Sequence, residues 1–376
     1  MSRSHADADI IAGIETFCSE VLAPRAAEID EKALFSTLHR QALGEMGLMG
    51  LNLPEELGGP GVDCWTLFEC TALVAGACGS TASMMTAHWL ATDSLVHGGS
   101  AEQHARWLPR AAAGETLGAF ALTEPAAGSN PADMTATAVR EGAGWRIKGT
   151  KHFISNAGEA DFIVVYVKTD RAAGARGISA FVVEPAFSGG VTVGAAERTM
   201  GVKGGHVFEI VFDCLVPDEN RLGREGSGFR TALKTLDAGR LDIAACAIGI
   251  AEAALAAAVD WAKSRIVGGH PIGEFQGLQW MLADMAVDIA ASRGLADMAT
   301  AKRQAGERFS LESSMAKLHA GEMAARVTDK ALQIHGGYGF TRDLPLERYV
   351  RDARILRIYE GSSEVQRNII ARSLLG

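Results

Sequence analysis

The hydrophobic period of this chain changes twice, and that limits its fold more than any other feature. Over residues 8–114 apolar side chains recur every three or four positions, as in Ile10, Ile11, Ile14, Phe17, Val21 and Leu22, the period of amphipathic helices. Pro24 is expected to end or bend the first of them. Further helices are expected over 34–46, 65–77 and 81–97, the last two rich in small residues and buried, with a glycine-proline loop over 51–61. From about Thr116 the pattern becomes alternating or β-branched, over 118–122, 136–140, 145–148, 162–167, 178–183, 191–193 and 207–212, with glycine turns between. Short strands at this spacing predict an antiparallel barrel or sandwich of roughly 100 residues.

Helical periodicity returns after the glycine-rich stretch 223–228. Leu241, Ala245, Ile248, Leu255 and Val259 mark one face of a long helix, and the line Ala244, Ala247, Ala251, Ala254 and Ala258 suits close packing against a neighbour. Helices over 275–306 and 309–334 and a last one closing the chain make a four-helix-bundle layout. The predicted class is α+β: an N-terminal α-helical domain (1–115), a middle antiparallel β domain, barrel or sandwich (116–222), and a C-terminal four-helix bundle (223–376).

Composition excludes several functions. The net charge of −9 argues against a nucleic-acid partner, which needs a basic face. Cys18, Cys64, Cys70, Cys78, Cys214 and Cys246 form no C-x-x-C pair and no metal-ligand spacing with histidine, so reduced, mostly buried thiols and no metal site are expected. The first ten residues carry Asp7 and Asp9 and no long apolar run, which predicts neither a signal nor a transit peptide. No segment holds roughly 20 uninterrupted apolar residues, so no membrane partner and a cytoplasmic location are expected. The nucleotide fingerprints G-x-G-x-x-G after a strand and G-x-x-x-x-G-K-[ST] are absent, as are G-x-S-x-G and H-E-x-x-H.

What remains are polar, glycine-rich loops and one acid. Leu122-Thr123-Glu124-Pro125-Ala126-Ala127-Gly128-Ser129-Asn130 offers hydroxyls and flexible backbone N–H groups to an anionic or heteroaromatic ligand. A second loop over 151–158 sets Phe153 beside Ser155 and Asn156; the ring suits a flat ligand or, taken alone, a core position. Near the end, Ile355, Leu356, Ile358 and Tyr359 lead into Glu360, and Gly361 frees the backbone after it. Ser363 and Gln366 read as a capping box starting a new helix, whose dipole would favour a carboxylate that an apolar pocket opposes. That competition can tune a general base, although the stretch alone fits a helix-flanking acid better.

Five stretches occur in a telling order: Leu122-Thr123-Glu124-Pro125 with Gly128-Ser129; Phe153-Ile154-Ser155-Asn156-Ala157; Arg265 with Gln276; Gln333-Ile334-His335-Gly336-Gly337-Tyr338-Gly339; and Arg351 to Arg354 through Tyr359-Glu360-Gly361. Through them the chain resembles the acyl-CoA dehydrogenase family of flavoproteins over nearly its whole length. The resemblance implies that Phe120, Leu122, Thr123, Ser129, Phe153, Ile154 and Ser155 hold the isoalloxazine ring of FAD. It implies that Arg265, Gln276, Gln333, Ile334, His335, Gly336 and Gly337 reach the pyrophosphate and adenosine of a FAD held mainly by a neighbouring subunit. Ser362, Ser363 and Glu364 would close over the cofactor, Asp237 and Arg240 would contact CoA, and Ser129 and Gly361 would line the acyl path, with Arg372 a further CoA contact.

Glu360 would then be the catalytic base for α,β-dehydrogenation of an acyl-CoA to a trans-2-enoyl-CoA, with a backbone N–H at the base and a flavin hydroxyl on the thioester oxygen. Electrons would pass to electron-transfer flavoprotein, and the protein would be a homo-oligomer, a tetramer. Local similarity to the isobutyryl-CoA and short-chain members implies a short or short-branched acyl group. An acyl-CoA oxidase and a non-catalytic acyl-CoA-binding scaffold are the alternatives. The chain departs from the family pattern at four positions. Gly239 stands where some members place the base, Phe153 replaces a tryptophan, Asn130 an aspartate, and Gly268 a phenylalanine that helps clamp the partner's FAD.

Overall fold

A computed structural model of the protein describes residues 5–35 and 37–376. The expectations for the first ten residues and for a helix over 34–46 rest partly on residues 1–4 and Ser36, which lie outside those described. The first helical layer comprises α1 (Ala8–Phe17), α2 (Ala23–Lys32), α3 (Thr37–Glu45), α4 (Cys64–Ala77), α5 (Gly79–Gly98) and α6 (Ala101–Ala112). Asp7, Asp63 and Ser100 cap α1, α4 and α6 with their side chains, each satisfying N–H groups that a first turn leaves open. Pro24 bends rather than ends the first helix: a π-helical turn over Cys18–Leu22 leads directly into α2, with the proline in its first turn. Its ring would crowd the carbonyl four residues back, and widening the turn relieves that contact.

The middle layer holds β1 (Gly118–Ala121), β2 (Thr137–Glu141), β3 (Gly144–Ser155), β4 (Phe162–Lys168), β5 (Ile178–Val183), β6 (Val191–Val193), β7 (Val207–Pro217) and β8 (Arg221–Leu222). They form one sheet in the order β6-β7-β3-β2-β4-β5-β8, with β1 on β4. The sheet is mixed rather than wholly antiparallel, because β1 and β2 both pair with β4 in parallel. Strands β4 and β5 are buried on both faces, as unbroken apolar runs require. One face, with Ile163, Val165 and Phe181, packs inside the β layer, and the other, with Val164, Tyr166 and Val182, packs against Leu95 of α5 and Leu108 of α6. The second loop read from the sequence is largely strand: β3 continues to Ser155, with a bulge between Lys151 and Ile154.

The C-terminal layer comprises α7 (Gly228–Ser264), the hairpin strands β9 (Ile266–Val267) and β10 (His270–Pro271), α8 (Gln276–Gln304), α9 (Ser310–His335), α10 (Gly337–Phe340), α11 (Leu346–Ile355) and α12 (Ser363–Leu375). Helix α7 is long and apolar enough to cross a membrane, yet 67% of its most apolar window is buried by protein, and it is the core helix here. Its line Ala244, Ala247, Ala251, Ala254 and Ala258 is fully buried. Gly249 abuts the Ala72 carbonyl so closely that a Cβ would clash, and a Cβ on Gly76 of α4 would come 2.9 Å from the Gly249 carbonyl. Small residues thus join the first and last helical layers into one core. All six cysteines are free, and all but Cys64 are buried.

Candidate active site

The apolar turn before Glu360 is pinned by Leu356, 2% exposed, while Gly361 lets the chain reverse with φ +92°. Glu360 itself has φ +53°, in the left-handed region that costs energy for a residue with a Cβ. The following cap lies one residue earlier than expected: Ser362 Oγ accepts from Val365 N, and α12 begins at Ser363. Ser363 Oγ instead donates to Glu322 of α9 at 2.7 Å, and Gln366 Nε2 donates back to the carbonyls of Glu360 and Gly361. The capping box is therefore replaced by a side-chain clamp on the strained joint.

The Glu360 carboxyl points onto α7. A Cβ added at Gly239 would collide with Glu360 Oε2 and come 2.8 Å from Leu90 Cδ2 of α5. Gly239 is thus a seat that only glycine provides. The residue is partly accessible, but Oε2 is buried and has no hydrogen-bond partner. Burial raises the pKa of Glu360 to about 8, the Asp242 carboxylate adds to the rise, and Lys317 and Arg240 oppose it. Behind Glu360, Asp242 and Asp93 share the neighbourhood of Arg303, and burial lifts Asp242 to about 7. Replacing Gly239 by Ala should push the carboxyl out of its seat; for the base that the resemblance implies, a displacement near 1 Å predicts about a 100-fold slower proton abstraction. Single-turnover flavin bleaching with unchanged FAD content checks it, and a rate within twofold of the parent would show that the seat is not needed.

Asp237 and Arg240, one turn apart on α7, are paired at 2.5 Å, and Ser310 at the start of α9 also donates to Asp237. Arg240 is 5% exposed, its Nε is buried without a partner, and its charge reaches Glu360. Arg240 Nε and Glu360 Oε2 are thus two buried polar atoms without partners in residues whose charges interact, and unsatisfied groups of this kind are what a polar ligand would complete.

The two loops expected to face a flat ligand converge. Lys151 Nζ donates to the Leu122 carbonyl at 2.9 Å and to Glu124 Oε1 at 3.0 Å, and His152 N donates to the Thr123 carbonyl. Glu124 also accepts from Thr135 N and Ala136 N, which folds the loop back on itself. Leu122 and Ile154 are buried, Phe120 packs against Tyr166, Thr123 and Ser155 are half-buried, and Ser129 is exposed. Phe153 is not a core residue: at the bulge, with φ +57°, it is 61% exposed and stacks on His152 at 4.1 Å.

A second feature is an open groove of about 570 Å³ at the end of α7 and α9, lined by Trp261, Arg265, Ile334, His335, Gly336, Gly337 and Tyr338 among others. The Arg265 guanidinium lies 5.4 Å from the Tyr338 ring centre, and His335 stacks on Trp261 at 5.0 Å. Cationic, aromatic and glycine-backbone surfaces together suit phosphate and a heteroaromatic ring. Gln276 and Gln333 are exposed beside this end of the bundle but do not line the groove. Gly268 and Gly269 form the two-residue turn of the β9–β10 hairpin with φ +61° and +87°, a turn that requires positive φ at both positions. That explains a glycine where the family pattern has a ring. Ser362 is half-buried, Ser363 buried and Glu364 exposed at the start of α12. Arg372 is exposed in its last turn, with no described side-chain contact to Asp237 or Arg240. Among the described residues no cluster could hold a metal ion.

The sequence reading gave no role of their own to Leu90, Glu124, Lys151, Asp242 and Lys317, although Glu124 and Lys151 lie in the two loops it singled out.

Profiles described as acyl-CoA dehydrogenase N-terminal, middle and C-terminal domain match residues 5–115, 119–215 and 226–375. The chain is 42% identical over 360 residues to a short-chain specific acyl-CoA dehydrogenase of Clostridium acetobutylicum, covering 95% of each. It superposes with TM-score 0.95 and 37% identity on butyryl-CoA dehydrogenase from Megasphaera elsdenii, covering 98% of this chain and 97% of that one. A structure described as electron transferring flavoprotein of Acidaminococcus fermentans aligns over the full length of both chains, with TM-score 0.96 and 40% identity. The chain therefore belongs to the acyl-CoA dehydrogenase family: it is an oxidoreductase whose cofactor is FAD.

Proposed function

We propose that the chain dehydrogenates a short or short-branched acyl-CoA to a trans-2-enoyl-CoA, with Glu360 as the base that removes the α-proton. The observation that carries this reading is the Glu360 carboxyl itself, sealed against Gly239, unpartnered at Oε2 and raised to about 8. A thioester α-proton is far too weakly acidic for an ordinary exposed glutamate, and a basic, desolvated one closes part of that gap. The Glu360 N–H makes no backbone hydrogen bond among the described residues and is available to the thioester oxygen, where negative charge develops. Arg240, supported by Asp237, would meet the CoA portion, with Ser129 and Gly361 along the acyl path and Arg372 a peripheral contact.

The loops bearing Phe120, Leu122, Thr123, Ser129, Phe153, Ile154 and Ser155 would hold the flavin ring, and Ser362, Ser363 and Glu364 would close over it. The groove at Arg265, Ile334, His335, Gly336 and Gly337, with Gln276 and Gln333 at its edge, would take the adenosine and pyrophosphate of a neighbouring subunit's FAD. The chemistry that FAD would supply when held by these residues is acceptance of the β-hydrogen with its electron pair. Because the base must be ionised, bleaching should quicken as pH rises through about 8, the value burial gives Glu360. A rate independent of pH across that window would contradict it.

The short-chain assignment rests on the named functions of the similar proteins, one short-chain specific and one a butyryl-CoA dehydrogenase. A panel of CoA esters should give the best kcat/KM on four-carbon straight or branched chains, and a best value on a long straight chain would overturn it. Electron-transfer flavoprotein is the proposed acceptor, and vigorous peroxide formation without added acceptor would favour an oxidase instead. Exposed apolar side chains on α8, Trp280, Val287 and Met298, suit a homotetramer, which light scattering of the holoprotein tests. A cytoplasmic location belongs to the same reading.

A further inference from the structure

Lys317 lies on the small-residue face of α9, between Ala316 and Ala320, and is 1% exposed. An ammonium is buried at high cost unless its protons are bound and its charge is matched. Its Nζ donates to the Gly361 carbonyl at 2.6 Å. Gln366 Nε2, from α12, donates to that same oxygen at 3.0 Å and to the Glu360 carbonyl at 3.1 Å. Two helices therefore grip the joint, at the two residues whose φ values are +53° and +92°. A strained backbone of this kind persists only where its surroundings over-determine it. The charged groups acting on Lys317 are Glu360 and Glu364 from the joint and α12, Glu322 on its own helix, and Arg240 from α7.

We propose that Lys317 is a positioning residue for the dehydrogenation: with Gln366 it pins the Gly361 carbonyl, fixes the left-handed turn at Glu360 and keeps the carboxyl seated on Gly239. The inference rests on Glu360 being the base. Burial pulls Lys317 down to about 8, and while it holds its proton its charge favours the ionised Glu360 carboxylate, against the effect of burial and of Asp242. Losing that charge would leave less of the base ionised at a given pH.

The test uses the FAD-loaded protein with butyryl-CoA, anaerobically, following flavin bleaching on both sides of the Glu360 pKa in the parent and in Lys317→Met, Lys317→Arg, Gln366→Met and Glu360→Gln. Lys317→Met should keep the flavin spectrum and bind butyryl-CoA, yet bleach at least about tenfold more slowly, with its midpoint moved to higher pH. Lys317→Arg, which keeps the charge but not the ammonium geometry, should restore the midpoint and only part of the rate. Gln366→Met, which removes a donor and no charge, should slow bleaching without moving the midpoint. A merely structural lysine would lower FAD content or stability and leave the midpoint alone.

Bleaching by Lys317→Met at the parental rate with an unmoved midpoint overturns the proposal. If that variant does not accumulate as holoprotein, parental behaviour of both Lys317→Arg and Gln366→Met overturns it equally. Glu360→Gln separates the two readings: if it still bleaches, the base assignment fails. If it is inactive while the Lys317 and Gln366 variants behave as the parent, only the positioning role fails.

Discussion

Glu360→Gln is expected to retain FAD and bind acyl-CoA while bleaching its flavin about 1,000-fold more slowly than the parent, the scale of effect of a lost general base. The change is nearly isosteric, so the seat at Gly239 remains filled. What disappears is the capacity to accept a proton. Stability provides a second reading of the same residue. The folded pKa of Glu360, about 8, lies above its ordinary value of 4.5, so the folded state holds a proton that the unfolded chain releases. The stability contributed by this protonation is fully present below about 4.5 and is lost as pH rises through about 8. Glu360→Gln cannot ionise, so its Tm should fall less than that of the parent across that window. A parallel fall in the two proteins would remove the basis for a perturbed carboxyl.

The second large effect concerns the buried pair that braces the proposed flavin loop. Glu124 and Lys151 have side chains 2% and 0% exposed and meet at 3.0 Å. Burial pulls Lys151 down to about 8 even though Glu124 supports its charge. Glu124→Ala strands that ammonium with the Leu122 carbonyl as its remaining strong acceptor and leaves the N–H groups of Thr135 and Ala136 without their acceptor. Breaking one side of a buried pair costs about 3–5 kcal/mol, and the loop over 122–130 loses one of its anchors to β3 in the same step, the bonds from Lys151 Nζ to Leu122 and from His152 N to Thr123 remaining. Thermal unfolding of the variant, with flavin content measured on the same sample, should show a marked loss of both. A change below about 1 kcal/mol with full flavin content would mean that the loop is held by other contacts.

These two sites differ in how far the sequence disclosed them. Local cues draw attention to Glu360, an apolar turn before it, a glycine after it and a helix start within three residues, but alone they fit a helix-flanking acid better, and it is the resemblance over the whole chain that implies a base. The position of that start was missed by one residue, since Ser362 and Ser363 are chemically alike and only the distant Glu322 gives Ser363 another partner. Lys151 and Lys317 were not legible because their partners lie 27 and 44 residues away, and nothing local says that a lysine is buried. The helix-strand-helix order followed from hydrophobic period. The parallel pairing of β1 with β4 did not, because alternation fixes which face a residue takes and is silent on strand direction. The unbroken run of β4 carried a hint, since strands buried on both faces lose their alternation. The bulge at Lys151 to Ile154 escaped for a related reason, as an extra residue in a strand looks like a loop when read without its partner strand.

The central claim is that Glu360 carries the α-proton away. Exchange of that proton with solvent tests it most directly: the holoprotein is equilibrated anaerobically with butyryl-CoA in deuterium oxide and the α-position of the recovered ester is analysed by mass spectrometry. The parent should wash deuterium into the α-position and Glu360→Gln should not. Deuterium incorporation by Glu360→Gln at the parental rate would contradict the claim.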